Sequence, residues 1–178
     1  MNNGKAKIEN STGNYKISVP SKKNWFALIF GTAWMGGWYF GLTSAISSFG
    51  FGSEGGFDGF MTFWLIGWVI AGVAISSMLL WGYFGEESLE FNRQELRFNK
   101  TIFGIGIKKT LQKKEIKNFR FEKINESMLG GSRWAFWGLG PGKIKFDYGF
   151  KTFSFGLAVD DAEANYLAQE LNKKFEIQ

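Results

Sequence analysis

The chain of 178 residues has no cysteine, no histidine and only two prolines. Without cysteine there is no disulfide, no thiol nucleophile and no thiolate metal site, and without histidine there is no imidazole base and no Ser–His pair. Charge is also missing over long stretches. From Asn24 to Ser53, and again from Gly59 to Gly85, no Asp, Glu, Lys or Arg occurs. A helix rises about 1.5 Å per residue, so roughly 20 residues cross the ~30 Å hydrocarbon core, and both windows are long enough. Neither holds the intramembrane charge that marks most ion and proton pathways, which disfavours a channel or pump. A cleaved signal peptide fits poorly, because the first window starts only at Asn24 and a second follows it.

Aromatic residues are abundant instead, with 20 Phe and 8 Trp raising the aromatic share to 19%. Two boxes of the form Trp-x-x-Gly-Trp stand in the charge-free windows, WMGGW from Trp34 to Trp38 and WLIGW from Trp64 to Trp68. Residues i and i+4 share a helix face, so each box presents two rings with a glycine beside them. Ala33, Gly37, Gly41 and Ala45 repeat the period on the first helix, and Gly67, Ala71 and Ala74 do so on the second. Such small-residue rows let helix backbones approach in lipid, where escape from water no longer drives helices together. Ala33, Trp34, Gly37, Trp38, Gly41, Trp64, Gly67, Trp68 and Ala71 are therefore the expected packing seam of a helical hairpin or a homodimer. A ligand or lipid slot lined by the four indoles is the competing reading. Trp25 and Trp81, near the outer ends of the windows, suit the headgroup region.

These windows divide the chain into an N-terminal arm (1–24), a two-helix transmembrane hairpin (25–84, helices at about 25–48 and 60–84) and a domain (85–178). Lys5, Lys7, Lys16, Lys22 and Lys23 precede the first helix, whereas the connection FGFGSEGGFDGF carries Glu54 and Asp58 and no base. The positive-inside rule then puts both termini in the cytoplasm. Within the arm, YKISVP alternates Tyr15, Ile17 and Val19 up to Pro20. It is either a disordered lead-in or a strand lying on the domain.

After Gly85 the pattern becomes that of short strands. SLEFN and ELRFNK, separated by RQ, fit a tight hairpin, and TIFGIGIKK follows. In EIKNFRFEKI, Ile116, Phe119, Phe121 and Ile124 supply a buried face. In KIKFDYGFKTFSFG, Ile144, Phe146 and Tyr148 alternate with Lys143, Lys145 and Asp147, and Phe153 and Phe155 resume after Gly149. That is a hairpin with one buried face. Asp160, with Glu163 three residues on, fits a capping box, and Ala164, Leu167, Ala168, Leu171 and Phe175 recur at helical spacing.

Some six or seven short antiparallel strands capped by one C-terminal helix, after two transmembrane helices, resemble bacterial membrane proteins with a pleckstrin-homology-like (PH-like) domain. The stretches that carry the likeness are WFALIFGTAWMGGWYFG, FWLIGWVIAG, GEESLEFNRQELRF and IKFDYGFKTFSFGLAVDDAEA. The resemblance implies an α+β domain, an antiparallel β-sandwich or partly open barrel, at the cytoplasmic face of a bacterial inner membrane. It brings no catalytic motif. In lipid-binding PH domains, bases near the first hairpin grip headgroups, and Arg93, Arg97 and Lys100 occupy that region here. The dense basic cluster of such sites is missing, so these residues are either loose headgroup contacts or a solvated hairpin.

Other motifs fail on their spacing. GLGPGK, from Gly138 to Lys143, lacks the four-residue interval and the Ser or Thr of a phosphate loop, and a strand follows it. Glu86, Glu87 and Glu90 cluster at a membrane exit, where solvated carboxylates are the simpler reading. The loop from Asn125 to Gly142 is long and rich in aromatics, and Arg133, Trp134, Phe136, Trp137 and Leu139 must find a place in it. It folds back on its own domain, dips into the membrane interface or docks a partner. The whole reads as a non-enzymatic interaction or scaffold module with no cofactor, no metal and no nucleic-acid partner. The lipid bilayer and a protein partner, or self-association, are the expected contacts. The alternative is an accessory subunit held in a larger complex by its transmembrane helices.

Overall fold

The computed structural model describes residues 4–11, 14–48, 59–125 and 133–175. The acidic connection between the expected helices and residues 126–132 of the long loop lie outside the described residues. The elements run β1 (Lys7–Ser11), β2 (Asn14–Pro20), α1 (Trp25–Ser48), α2 (Gly59–Phe84), β3 (Gly85–Phe91), β4 (Glu95–Ile102) and β5 (Ile105–Gln112). They continue as β6 (Ile116–Phe121), α3 (Arg133–Phe136), β7 (Ile144–Tyr148), β8 (Lys151–Phe155) and α4 (Asp161–Phe175). The chain forms two compact units, Trp25–Leu80 and a unit made of Met1–Asn24 with Trp81–Gln178.

The second of these is an α+β unit built on two antiparallel sheets, β1-β2-β3-β4-β5 and β6-β7-β8. Among the described residues the C-terminal domain supplies six strands, as many as the sequence led one to expect, and the N-terminal arm adds two more. Tyr15, Ile17 and Val19, the alternating residues of YKISVP, all point into the core, and β2 pairs along the whole of β3. An unpaired β3 would leave a row of backbone donors and acceptors without partners, so the arm completes the sheet. Leu89, Phe91, Leu96 and Phe98 line the inner face of this sheet, and Ile116, Phe119, Ile144, Phe146 and Phe155 that of the smaller one. The two sets meet in one core, with ring centroids 6.1 Å apart for Phe91 and Phe119 and 6.4 Å for Phe98 and Phe146.

Helix α4 closes the core over the smaller sheet with Ala164, Leu167, Ala168 and Leu171. Asp160 caps it, its Oδ1 accepting the Glu163 N–H at 2.7 Å. The reciprocal half of the expected capping box is not made. The Glu163 carboxylate instead accepts the Lys5 and Ala6 N–H groups, at 3.2 and 2.9 Å, which ties the start of the arm to the helix. On β6 the pairing shifts between Lys117 and Arg120, and Asn118 takes φ 55°. The Asn172 side chain of α4 satisfies this bulge, accepting from Phe119 N at 3.0 Å and donating to Phe119 O at 2.6 Å.

In the other unit, α1 and the greater part of α2 have hydroxyls that bond within their own helix. Thr43, Ser47 and Ser77 donate to carbonyls four residues back at 3.1, 2.6 and 2.8 Å. Two helices stand where two were expected. Among the described residues, α2 alone is both long and apolar enough to cross a membrane. Helix α1 has 24 residues, but its glycines, serines, threonines and tryptophans lower its mean hydropathy.

Candidate functional site

The expected seam is partly assembled in the helical unit. Trp38 and Trp68 lie with ring centroids 5.8 Å apart, and Trp64 meets Trp68 edge-on at 4.2 Å. A Cβ on Gly41 would touch the Trp68 ring at 3.4 Å. Gly72 and Gly31 complete the contact. A Cβ on Gly72 would overlap the Trp38 ring, and one on Gly31 would meet Leu79 at 2.9 Å. Gly72 stands outside the expected row of Gly67, Ala71 and Ala74, although it follows Trp68 by four residues, and that spacing was the signal that could have found it. Gly37 and Gly67, by contrast, have open space where a Cβ would stand, and Ala33, Trp34, Trp64 and Ala71 are exposed on this unit. The Trp68 Nε1 is buried with no hydrogen-bond partner among the described residues.

In the β unit, the chain leaves and rejoins the sheet at one point, the end of β2 and the start of β3. The Ser21 N–H donates to Gly85 O at 2.8 Å, and the Ser21 hydroxyl to Gly82 O at 2.9 Å. The last turn of α2, Trp81–Phe84, belongs to this unit and passes straight into β3. A Cβ on Gly85 would overlap the Trp81 carbonyl oxygen, so the switch from helix to strand needs glycine there.

The described part of the long loop, residues 133–142, folds against this junction. Trp81 Nε1 donates to Gly138 O at 3.4 Å, Leu139 N–H to Trp134 O at 2.7 Å, and Ala135 is fully buried. Trp137 is half-buried, whereas Trp134 and Leu139 are exposed, at 67% and 38%. Arg133 and Phe136 sit in the same helical turn as Trp134, and their side chains lie outside the description. Over its described residues, 133–142, the backbone of the loop packs on its own domain and leaves Trp134 outside.

Basic residues gather at the same end. Lys5, Lys7, Lys16 and Lys23 line an open cleft of about 430 Å³ that Tyr83 and Phe84 floor, with Glu9 and Glu86 also at its wall. Lys16 is paired with Glu90 at 3.3 Å, and Lys143 with Asp161 at 2.9 Å. Burial, then the neighbouring Lys143 and Lys5, hold the Lys22 ammonium below the usual lysine range. The cleft can attract an anion by charge, but it brings together no nucleophile and base, and the described residues hold no cluster of metal ligands.

The three bases read as headgroup contacts do not converge. Arg93 sits in the β3–β4 turn, at the end of β3 opposite Gly85, roughly 20 Å away along a seven-residue strand. Arg97 is exposed on β4 toward that end, 3.9 Å from Glu95. Lys100 lies nearer the junction, but it is committed to the buried Glu87 carboxylate at 2.7 Å. The other Glu87 oxygen accepts the Gly156 N–H at 2.7 Å, so this pair joins the larger sheet to the segment after β8. Glu87, read from the sequence as a solvated carboxylate, is 5% exposed. Its strand parity, shared with Leu89 and Phe91, was the signal for that burial. Compared with family models and with curated protein sequences, the chain finds no match.

Proposed function

We propose that this protein is a membrane-anchored, non-enzymatic module that presents a PH-like domain at the cytoplasmic face of a bacterial inner membrane, where it engages a protein partner. One observation carries the reading. Strand β2, before α1, pairs with β3, after α2, so both ends of the helical segment belong to one folded unit. A chain that crosses a bilayer through α2 must therefore return, and α1, about 36 Å long at 1.5 Å per residue, has the length to do it. The hydroxyl bonds internal to both helices support a lipid environment, in which water satisfies nothing. The lysines flanking the junction support a cytoplasmic domain, and two sheets over one C-terminal helix support the PH-like class. Tethering confines the domain to a surface and raises its effective concentration for partners held there.

The test is in-cell photocrosslinking from Trp134 in native membranes, followed by mass spectrometry of the adducts. One dominant protein adduct, lost when residues 134–139 are replaced by Gly and Ser, is the expected result. Adducts confined to the chain itself would remove this surface from the function.

A second reading, an accessory subunit gripped through its helices, has its own observation. Among the described residues, Gly36, Gly37 and Gly67 have open space where a Cβ would stand, and the Trp68 N–H has no acceptor. Both suit the approach of a further helix. Gly37→Leu should abolish partner recovery under this reading and leave it unchanged under the first.

A further inference from the structure

Beyond the helices, a second part of the chain is built to meet the bilayer. Strands β4 and β5 are eight residues each, while β7 and β8 of the facing sheet are five. The longer hairpin therefore overhangs the core. On its inner face Leu96 pairs with Leu111 and Phe98 with Lys109, both beside buried core residues, and the row then runs on to Ile107 and Ile105. Among the described residues, nothing covers that extension. Phe103, Ile105 and Ile107 are 75%, 81% and 60% exposed, and β5 is the edge strand of its sheet.

The tip itself carries an unusual residue. Phe103 and Gly104 form the turn, both at positive φ, 50° and 80°. Such two-residue turns favour Asn or Asp followed by Gly, because a bulky side chain is strained at positive φ. A strained phenylalanine left in water is favoured neither by turn chemistry nor by solvation.

The location identifies what covers it. Gly85 pairs with Ile102, and the Phe103 ring packs at 4.8 Å on Phe84, the last residue of the membrane-length helix. The tip is thus in contact with the point at which that helix ends. Its charge has one sign. From Leu96 to Lys114 there is no Asp or Glu, while Arg97, Lys100, Lys108, Lys109, Lys113 and Lys114 are all basic. Lys100 is engaged by Glu87, Lys109 by the Phe153 ring at 5.1 Å and Arg97 by Glu95 at 3.9 Å. Lys108 lies exposed on the outer face of β5. Apolar side chains at the tip with bases behind them match the order of acyl chain and anionic headgroup.

We propose that the β4–β5 hairpin tip, Phe103, Ile105 and Ile107, is a wedge that inserts into the interface of an anionic bilayer beside the end of α2. The wedge adds a third point of attachment to the two at which the helical segment leaves and rejoins the domain, and so fixes the tilt of the domain at the surface. It rests on the membrane-anchored reading above, and its test separates the two.

Because the chain has no cysteine, single cysteines can be labelled with an environment-sensitive fluorophore without other changes. Full-length protein in vesicles of phosphatidylethanolamine and phosphatidylglycerol would carry the label in turn at Ile105→Cys, Ile70→Cys in α2, and Gln169→Cys on the exposed side of α4. Nitroxides on shallow acyl positions and aqueous iodide serve as quenchers. The expected result is a blue shift and lipid quenching at position 105, with loss of iodide quenching, while 169 shows the reverse and 70 reports the hydrocarbon. Iodide quenching at 105 equal to that at 169, with 70 still in lipid, overturns the wedge and leaves the anchor standing. Shielding of 105 from both quenchers also overturns it, in favour of a protein contact on β5. Iodide access at position 70 overturns both readings together. In a second variant, Phe103→Asn suits the turn better and should leave the fold intact. It should weaken lipid quenching of the label at 105.

Discussion

The two units use the same apolar alphabet in opposite senses. In the β unit the large side chains point inward, and Phe91, Phe146 and Phe155 are at most 2% exposed. In the helical unit they point outward, with Phe26, Phe40 and Phe63 at 68%, 73% and 77%. Its interior contacts are made by glycines beneath indoles. Core burial in the first is driven by escape from water, which nothing in a bilayer supplies to helices that are already apolar outside. Under the proposed membrane-anchored reading, the difference teaches which solvent each unit is built for: water around the β unit, lipid around the helices. The exposed tip of β4–β5 departs from the rule of the β unit, as Trp134 and Phe150 also do.

The strongest way to break this contrast is to truncate one phenylalanine in each unit. Phe146→Ala should destabilise the β unit by about 3–5 kcal/mol, read from denaturant unfolding of the full chain in detergent micelles. Phe63→Ala, whose ring faces away from the hairpin, should fall within about 0.5 kcal/mol in the same measurement. Equal losses would mean that the outward rings of α2 face protein and not lipid.

Somewhat smaller effects are expected at the charges inside the β unit. Glu87→Ala removes the partner of Lys100 and the acceptor of the Gly156 N–H, and should cost about 3 kcal/mol, because both groups stay behind partly desolvated. Hydrogen exchange should rise first in the segment after β8. In the helices, Gly72→Val pushes a methyl into the Trp38 ring and should cost about 1–3 kcal/mol of hairpin stability. Trp68→Phe should be nearly neutral, since it deletes an N–H that has no acceptor while keeping most of the ring. A large loss would instead reveal a partner for that N–H.

The smallest effect is a pH dependence confined to the β unit. Burial, and then the Glu170 carboxylate that accepts its hydroxyl at 3.0 Å, push the Tyr15 phenol well above its ordinary value of 10.0. The neutral phenol is the form the fold favours. Its contribution is therefore complete below the unfolded pKa and is lost as pH climbs past about 10 toward the folded value. Tyr15→Phe should cost about 1 kcal/mol at neutral pH and flatten this alkaline limb of a stability–pH profile. The helical unit should show no such limb.

Much of this was legible in the sequence, and the reason differs by element. Ile144, Phe146 and Phe155 declared their strands because a face buried on one side imposes a period of two, and the charge-free windows declared the helices by their length and unbroken apolar character. The pairing of β2 with β3 was not legible. Val19 and Glu87 are partners across the whole helical segment, and no local pattern records a contact at that distance in sequence. The seam was half legible. Trp38, Gly41 and Trp68 followed from the i, i+4 rule, whereas the side of each helix that meets the other depends on rotation about its axis, so Gly37 and Gly67 fell outside and Gly72 within.

By itself, then, the sequence determined the local and one-dimensional features of this protein. These are the absence of thiol and imidazole chemistry, the placing of two apolar helices between polar flanks, the alternation of each strand in the C-terminal domain, and the capped final helix. Each follows from the composition or the period of a short window, which the chain carries without reference to the rest of itself. The tertiary structure decided what those windows meet. It drew the arm into the sheet, diverted Glu163 from its capping box to the N-terminal backbone, buried Glu87 against Lys100, and left Phe103 beyond the reach of any core. The physical reason is the same in each case: a hydrogen bond or a buried face has to be satisfied by some partner, and only the folded chain determines which distant residue supplies it.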